Sequence, residues 1–249
     1  MQDRYAGDLG DFLKLGLLRW LVASSLDAPP HRLGVVWYLT PDESHNGDGK
    51  HIAYLDPETP AGRQLRPLDP DLYDRLAAMV GGGVRSVAQL EAHGVLPVGS
   101  RTFGEVLHFG DLRPGAGNDR IKRRGAWLCA GHRATADCSV VFVDPDNGLR
   151  RSDHSTPSHR SKSEKHVYLD ELSAYVDRGQ SIVAYHHADR SATVPVQAER
   201  RMADAAEELG VAPLAAVRAS RGTTRLFIVV PAPAHRAGFE TRLQELEHS

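Results

Sequence analysis

Only two cysteines, Cys129 and Cys138, occur in the 249 residues. A pair of thiols in a chain this long builds no disulfide framework, so a reducing cytoplasm is the expected location. No apolar run approaches the roughly 20 residues that a membrane-spanning helix needs, and no membrane partner is expected. The opening MQDRYAGDLGDF lacks the basic and apolar regions of a secretory signal. Excess charge of one sign is missing too: 30 Lys and Arg against 32 Asp and Glu leave a net charge of −2. A global basic field is thereby excluded, and any nucleic-acid contact must rest on a local patch. Internal repeats and the G-x-G-x-x-G dinucleotide fingerprint are also absent.

What is present is an ordinary globular composition, 41% hydrophobic and 25% charged. Thirteen histidines make the true charge sensitive to pH near neutrality. The spacing of Leu13, Leu17, Leu18, Leu21 and Val22 predicts a packed helix after DRYAGDLGD. LGVVWYLTP (33–41) reads as a buried strand stopped by proline, followed by the polar loop DESHNGDGKH. Residues 56–125 read as an inserted or irregular subregion, with helical DPDLYDRLAAMV and VRSVAQLEAHGVL and a strand in TFGEVLHF. SVVFVD is a strand that opens into a long polar loop, NGLRRSDHSTPSHRSKSEKH. VYLDELSAYVDRG reads as helix, QSIVAYHH as strand and VQAERRMADAAEELG as an amphipathic helix ending at Gly210. LAAVRAS and TTRLFIVVP form a final strand pair before a closing helix. Strands alternating with helices give one α/β domain over 1–249, a Rossmann-like, mostly parallel sheet flanked by helices. In such sheets ligands bind beyond the carboxyl ends of the strands.

Two loops sit there. Asp144-Pro145-Asp146-Asn147-Gly148 brings carboxylates, a carboxamide and two backbone breakers to one strand tip, more than a turn requires. An Asp-Pro pair in that place can aim a carboxylate and a carbonyl at one amino group. The loop TPDESHNGDGKH carries Asp42, Glu43 and Asp48 among small residues that allow a nucleotide-like ligand to approach backbone. A rival reading makes Asp42, Glu43, Asp48, Asp144 and Asp146, with His186, the ligands and bases of a metal-dependent nuclease or phosphoesterase. Cys129, His132 and Cys138 have an irregular spacing, better suited to ordinary thiols than to zinc. The basic segments Arg120–Arg124 and 149–166, which flank the Asp144 strand, suggest phosphate positioning.

YAGDLGDFLKLGLL resembles the opening HAGN-x-AD-V-x-K of the large-subunit ribosomal RNA adenine-N6 methyltransferases, with Ala6, Gly7, Asp11 and Lys14 at matching places and Asp8 where that family has Asn. WYLTPDESHNGDGKH stands where that family has its first strand and S-adenosylmethionine loop, and VVFVDPDNG where its strand ends in Asp-Pro-Pro-Tyr. The tail RGTTRLFIVVPAPAHRAGFETRLQEL is similar as well. The resemblance implies a class I methyltransferase-like fold and S-adenosylmethionine as cofactor. It places Gly7, Asp8, Lys14, Thr40, Asp42, Asn46, Gly47 and Gly49 at the cofactor, and Asp144, Pro145 and Asn147 at the reacting amine. Tyr5, Arg150, Arg151 and Arg160 would meet a nucleic acid, RNA rather than DNA. Two departures stand out: Thr40 replaces the family's acid at the first strand, and Asp146-Asn147 replaces Pro-Tyr, so the aromatic that stacks on an extruded base is missing. Tyr5 and Tyr185 are candidates to substitute. The expected function is methyl transfer to an amino nitrogen of a nucleic-acid base; the alternatives are the nuclease above or a binding protein without chemistry.

Overall fold

The computed structural model describes residues 1–24, 30–43, 49–151, 163–221 and 223–247. In chain order its elements are α1 (Leu9–Val22), β1 (Leu33–Val36), α2 (Pro60–Leu65), α3 (Pro70–Gly81), α4 (Val87–Ala92), β2 (Arg101–Phe103), α5 (Gly117–Ala134), β3 (Val140–Val143), β4 (Gly148–Arg150), β5 (His166–Tyr168), α6 (Ser173–Asp177), β6 (Ser181–His187), α7 (Val194–Leu209), β7 (Ala215–Arg221), β8 (Thr223–Val230) and α8 (Arg236–Glu247). A six-stranded sheet has the order β2-β1-β3-β6-β8-β7. The first four strands are parallel, and β8 runs antiparallel to both β6 and β7. The chain is thus α/β, with a mixed, mostly parallel sheet of Rossmann-like type. No helix among the described residues is long and apolar enough to cross a membrane.

The central strands are continuous apolar runs because both sheet faces are covered. Val140 and Phe142 point into one core with Leu15, Leu18 and Leu21 of α1, Leu72 and Leu76 of α3 and Phe239 of α8. Val141 and Val143 point into the other, with Trp127 of α5, Tyr175 of α6 and Ala205 and Leu209 of α7. Local chemistry sets the helix ends. Asp8 caps α1 by accepting the Asp11 N–H at 3.0 Å. Gly210, at φ 65°, closes α7 by donating its N–H to the Ala206 carbonyl.

Two expectations are corrected. The run 33–41 is a strand only to Val36; Tyr38 turns to φ 21°, and the Trp37 N–H donates to the Phe103 carbonyl beyond the regular ladder. The start of VYLDELSAYVDRG is extended, not helical: His166–Tyr168 is β5, paired in parallel with β4, which itself lies in the expected polar loop. Arg124 explains this. Its buried guanidinium binds the carbonyls of Ser163 and His166 and the carboxylate of Glu171, and Glu171 in turn accepts the Tyr168 N–H. Helix begins only past that clasp, at Leu169 as a 3-10 turn and then as α6. The basic residues Arg120–Arg124 lie on one helix with AWLCAGHRA, running from Gly117. Residues 56–125 hold α2 to α4, which share the α1 core through Leu65, Tyr73, Met79 and Leu90, together with edge strand β2.

Candidate functional site

Because β1, β3 and β6 are parallel, their carboxyl ends meet at one edge, and the segments leaving them converge there. The start of α1 faces the same edge. Asp11 and Lys14, one turn apart, both lie on its buried face. Lys14 Nζ stands 2.5 Å from Asp11 Oδ1 and 2.7 Å from Asp144 Oδ2. It also lies 5.2 Å from the Trp37 ring centre. All three charged side chains are at most 5% exposed. Burial opposes the charge on Lys14, but the carboxylates of Asp11 and then Asp144 outweigh it and raise its pKa. Lys14 is therefore held as an ammonium, while burial pushes the Asp11 carboxyl up.

The Asp-Pro-Asp-Asn-Gly stretch fastens four different elements. Asp144 binds α1 through Lys14. Asp146 accepts from Gln2 Nε2 at 2.9 Å and pairs with Lys165 at 3.0 Å. Lys165 pairs on its other side with Glu43 at 2.7 Å, drawing the segment after β1 into the network. The Asn147 N–H donates to the Lys165 carbonyl at 2.8 Å. Gly148 has φ 113°, and a Cβ there would stand 2.5 Å from His186 Nδ1 and 2.8 Å from the His186 Cα. Only glycine lets this turn rest on the end of β6, and any other residue would add a backbone cost of about 1–3 kcal/mol.

A cleft of about 320 Å³ opens beside this cluster, with Tyr5, Asp8, Glu43, Gly49, Asp144–Asn147, Tyr185 and Arg225 in its wall. Asp8, Lys14, Gly49, Tyr5, Asp144, Pro145 and Asn147 are thus brought together as expected from the sequence. Others are elsewhere. Gly7 backs onto α3, where a Cβ would meet Met79 and Val80 at 2.7 Å. Thr40 is buried and donates its N–H to the Met1 carbonyl. Asp42 is exposed and accepts the Arg4 N–H. Asn46, Gly47, Asp48 and Arg160 lie outside the described residues. The sequence reading missed Lys165 and Arg225. Arg225 carried a signal, being the cation that immediately precedes the apolar run of β8; its register partner is His187 at the tip of β6.

Among the described residues the acids of the metal reading do not assemble. Asp144 is tied to Lys14, Asp146 and Glu43 to Lys165, and Asp42 points to solvent. Among the described residues no three His, Cys, Asp or Glu side chains form a group able to hold a metal ion, Cys129, His132 and Cys138 included. The basic run of α5 is also partly committed: Arg123 pairs with Asp111 and Arg124 with Glu171.

A second cleft, of about 530 Å³, adjoins the first, with Asn147 and His187 in the walls of both. Arg150 and Arg151 reach it from β4 and the residue after it, Arg200 and Arg201 from α7, and His186 from β6. His186 Nδ1 accepts the Leu149 N–H at 3.2 Å, which requires a neutral ring. Burial, and after it the charge of Arg201, lowers the His186 pKa to about 4. Asp189 acts in the opposite direction, and His187 and His166 add to the lowering. The unfolded chain therefore binds the proton first on acidification. This contribution to stability is complete above about pH 6.5 and is lost as pH falls toward about 4, with a full amplitude on the order of 3 kcal/mol. Burial lowers the pKa of His31, His132 and His235 as well, so they add to the same limb. In urea titrations from pH 7 to 4, His186→Gln is expected to flatten this limb; an unchanged slope would contradict the assignment.

No protein-family model matches the sequence, and no curated protein matches it either.

Proposed function

We propose that the first cleft transfers a methyl group from S-adenosylmethionine to an amino nitrogen of a nucleic-acid base. The observation that carries this reading is the Asp144-Pro145 pair at the tip of a central parallel strand, its carboxylate locked by Lys14 and opening on a cleft with two tyrosines. The donor set suits the cofactor. Asp8 offers a carboxylate oxygen to ribose hydroxyls, and Arg225 offers a guanidinium to a carboxylate. Gly10 adds close approach, since a Cβ there would fill the space within 2.4 Å of the Arg225 guanidinium. S-adenosylmethionine supplies an electrophilic methyl carbon on a cationic sulfur.

The rest falls to the chain. Lys14 occupies Asp144 Oδ2, which leaves Oδ1 to accept a hydrogen bond from the incoming amine. That bond points the nitrogen lone pair into the cleft. As the nitrogen gains positive charge, the fixed carboxylate stabilises it without reorganising. Tyr5 and Tyr185 provide faces for the base in place of the aromatic missing after Pro145, a contribution of about 1–3 kcal/mol. Tyr185 is held at its hydroxyl by His187 Nδ1 at 3.3 Å. The test is titration calorimetry with S-adenosylmethionine and its demethylated product, and separately with Mg²⁺ and Mn²⁺. Saturable binding of both sulfur ligands is expected; binding of a divalent cation with neither of them would contradict the reading.

A further inference from the structure

The second cleft has a construction of its own. Gln197, Arg200 and Arg201 share one face of α7, three and four residues apart. Gln197 is buried and fixes the loop before the helix: it accepts the Asp189 N–H at 3.0 Å and donates to the carbonyls of Asp189 and Ala192. Arg201 braces the opposite wall by pairing with Asp204 at 2.9 Å and donating to the Leu149 carbonyl at 3.3 Å. Arg151 is drawn to Glu207 and Glu208, at 2.6 and 3.5 Å. Arg150 and Arg200 differ: both are exposed, both reach the cleft, and neither enters an ion pair among the described residues. The lining carries four arginines against Asp189 and Asp204. The cleft is thus a cationic groove in which two guanidinium groups have no ion-pair partner among the described residues.

The geometry points to this cleft as the seat of the sugar-phosphate backbone of single-stranded nucleic acid, with Arg150 and Arg200 binding phosphates next to the base held in the first cleft. It rests on the proposed role of the first cleft for the position of that base, because Asn147 and His187 border both spaces. Guanidinium groups suit phosphate through paired, charge-assisted hydrogen bonds. A base that must leave its stack to reach Asp144 comes most cheaply from a single strand.

The experiment is fluorescence anisotropy of a labelled single-stranded oligoribonucleotide against salt concentration. It compares the natural protein, Arg150→Gln/Arg200→Gln, and a control, Arg63→Gln/Arg113→Gln, which changes the net charge equally outside both clefts. All four arginines are exposed, and the one surface pair among them, Arg63 with Glu58 at 3.9 Å, adds little to stability; a melting curve verifies folding. The cleft variant is expected to bind about tenfold more weakly per arginine removed. Its log–log salt slope should be shallower by about 1.4, the share of two phosphates on a single strand. The control should match the natural protein. Equal losses in both variants, or none in the cleft variant, would overturn the inference. Absence of RNA binding at low salt in a protein that binds S-adenosylmethionine would overturn it too, and leave the methyl-transfer reading standing with a small substrate. RNA binding that depends on the two arginines, without any cofactor binding, would support the groove and sink the methyl-transfer reading.

Discussion

Lys14→Met is expected to destabilise the protein by about 3–5 kcal/mol, the cost of leaving a buried charge without its partner. For a chain of this size the loss is a fall in Tm of roughly 6–20 °C. The reason is electrostatic and local. Lys14 is the ammonium between Asp11 and Asp144, and all three are almost fully enclosed. Methionine fills the volume but leaves two carboxylates facing one another in a medium of low dielectric. Two companion measurements separate this from lost packing. Adding Asp11→Asn to Lys14→Met should recover part of the loss, since the amide oxygen can still accept the Gly7 N–H now bound by Asp11 at 2.9 Å. Lowering the pH should narrow the gap between natural and variant protein as the orphaned carboxylates take up protons. A loss below about 1 kcal/mol, the range of an exposed pair, would show that Lys14 is not the anchor of the cluster.

Asp144→Asn keeps the shape of the side chain and removes its charge. Lys14 retains Asp11, so the fold should survive. The reacting amine loses its anionic partner, and kcat should fall on the order of 10²–10³-fold, as for removal of one fixed electrostatic group from a reacting centre. Cofactor affinity should hardly change, because this carboxylate addresses the amine and not the cofactor. A variant that loses cofactor affinity while kcat stays constant would move Asp144 from the amine to the cofactor.

Much of the frame was legible because it rests on local signals. The apolar runs of β3, β6 and β8 can be buried only in a sheet covered on both faces, and α7 closes on a glycine that the left-handed conformation requires. Asp144 was legible as the residue at which a core strand stops. The pair β4–β5 was not: Val167 and Tyr168 suit a strand, but a run this short is masked by the helical pattern that follows it directly. Its cause is Arg124, which arrives from a distant helix to bind Ser163, His166 and Glu171. Lys165 was hidden for a similar reason: a lysine in a polar loop announces nothing until Glu43 and Asp146 arrive on either side of it. The extra acid after Asp144 proved to have a position of its own to hold. Asp146 secures Gln2 and Lys165, a role that composition could not separate from metal binding.

The most direct measurement is single-turnover transfer from methyl-labelled S-adenosylmethionine to a mixed pool of RNA, followed by digestion and mass spectrometry of the nucleosides. The expected result is one methylated base, modified on its exocyclic amino nitrogen, with the label absent when Asp144→Asn replaces the natural protein. Label on a ring carbon, on a ribose oxygen or on the protein itself, or no transfer from a protein that binds both ligands, would contradict a cleft built around Asp144 and an amine.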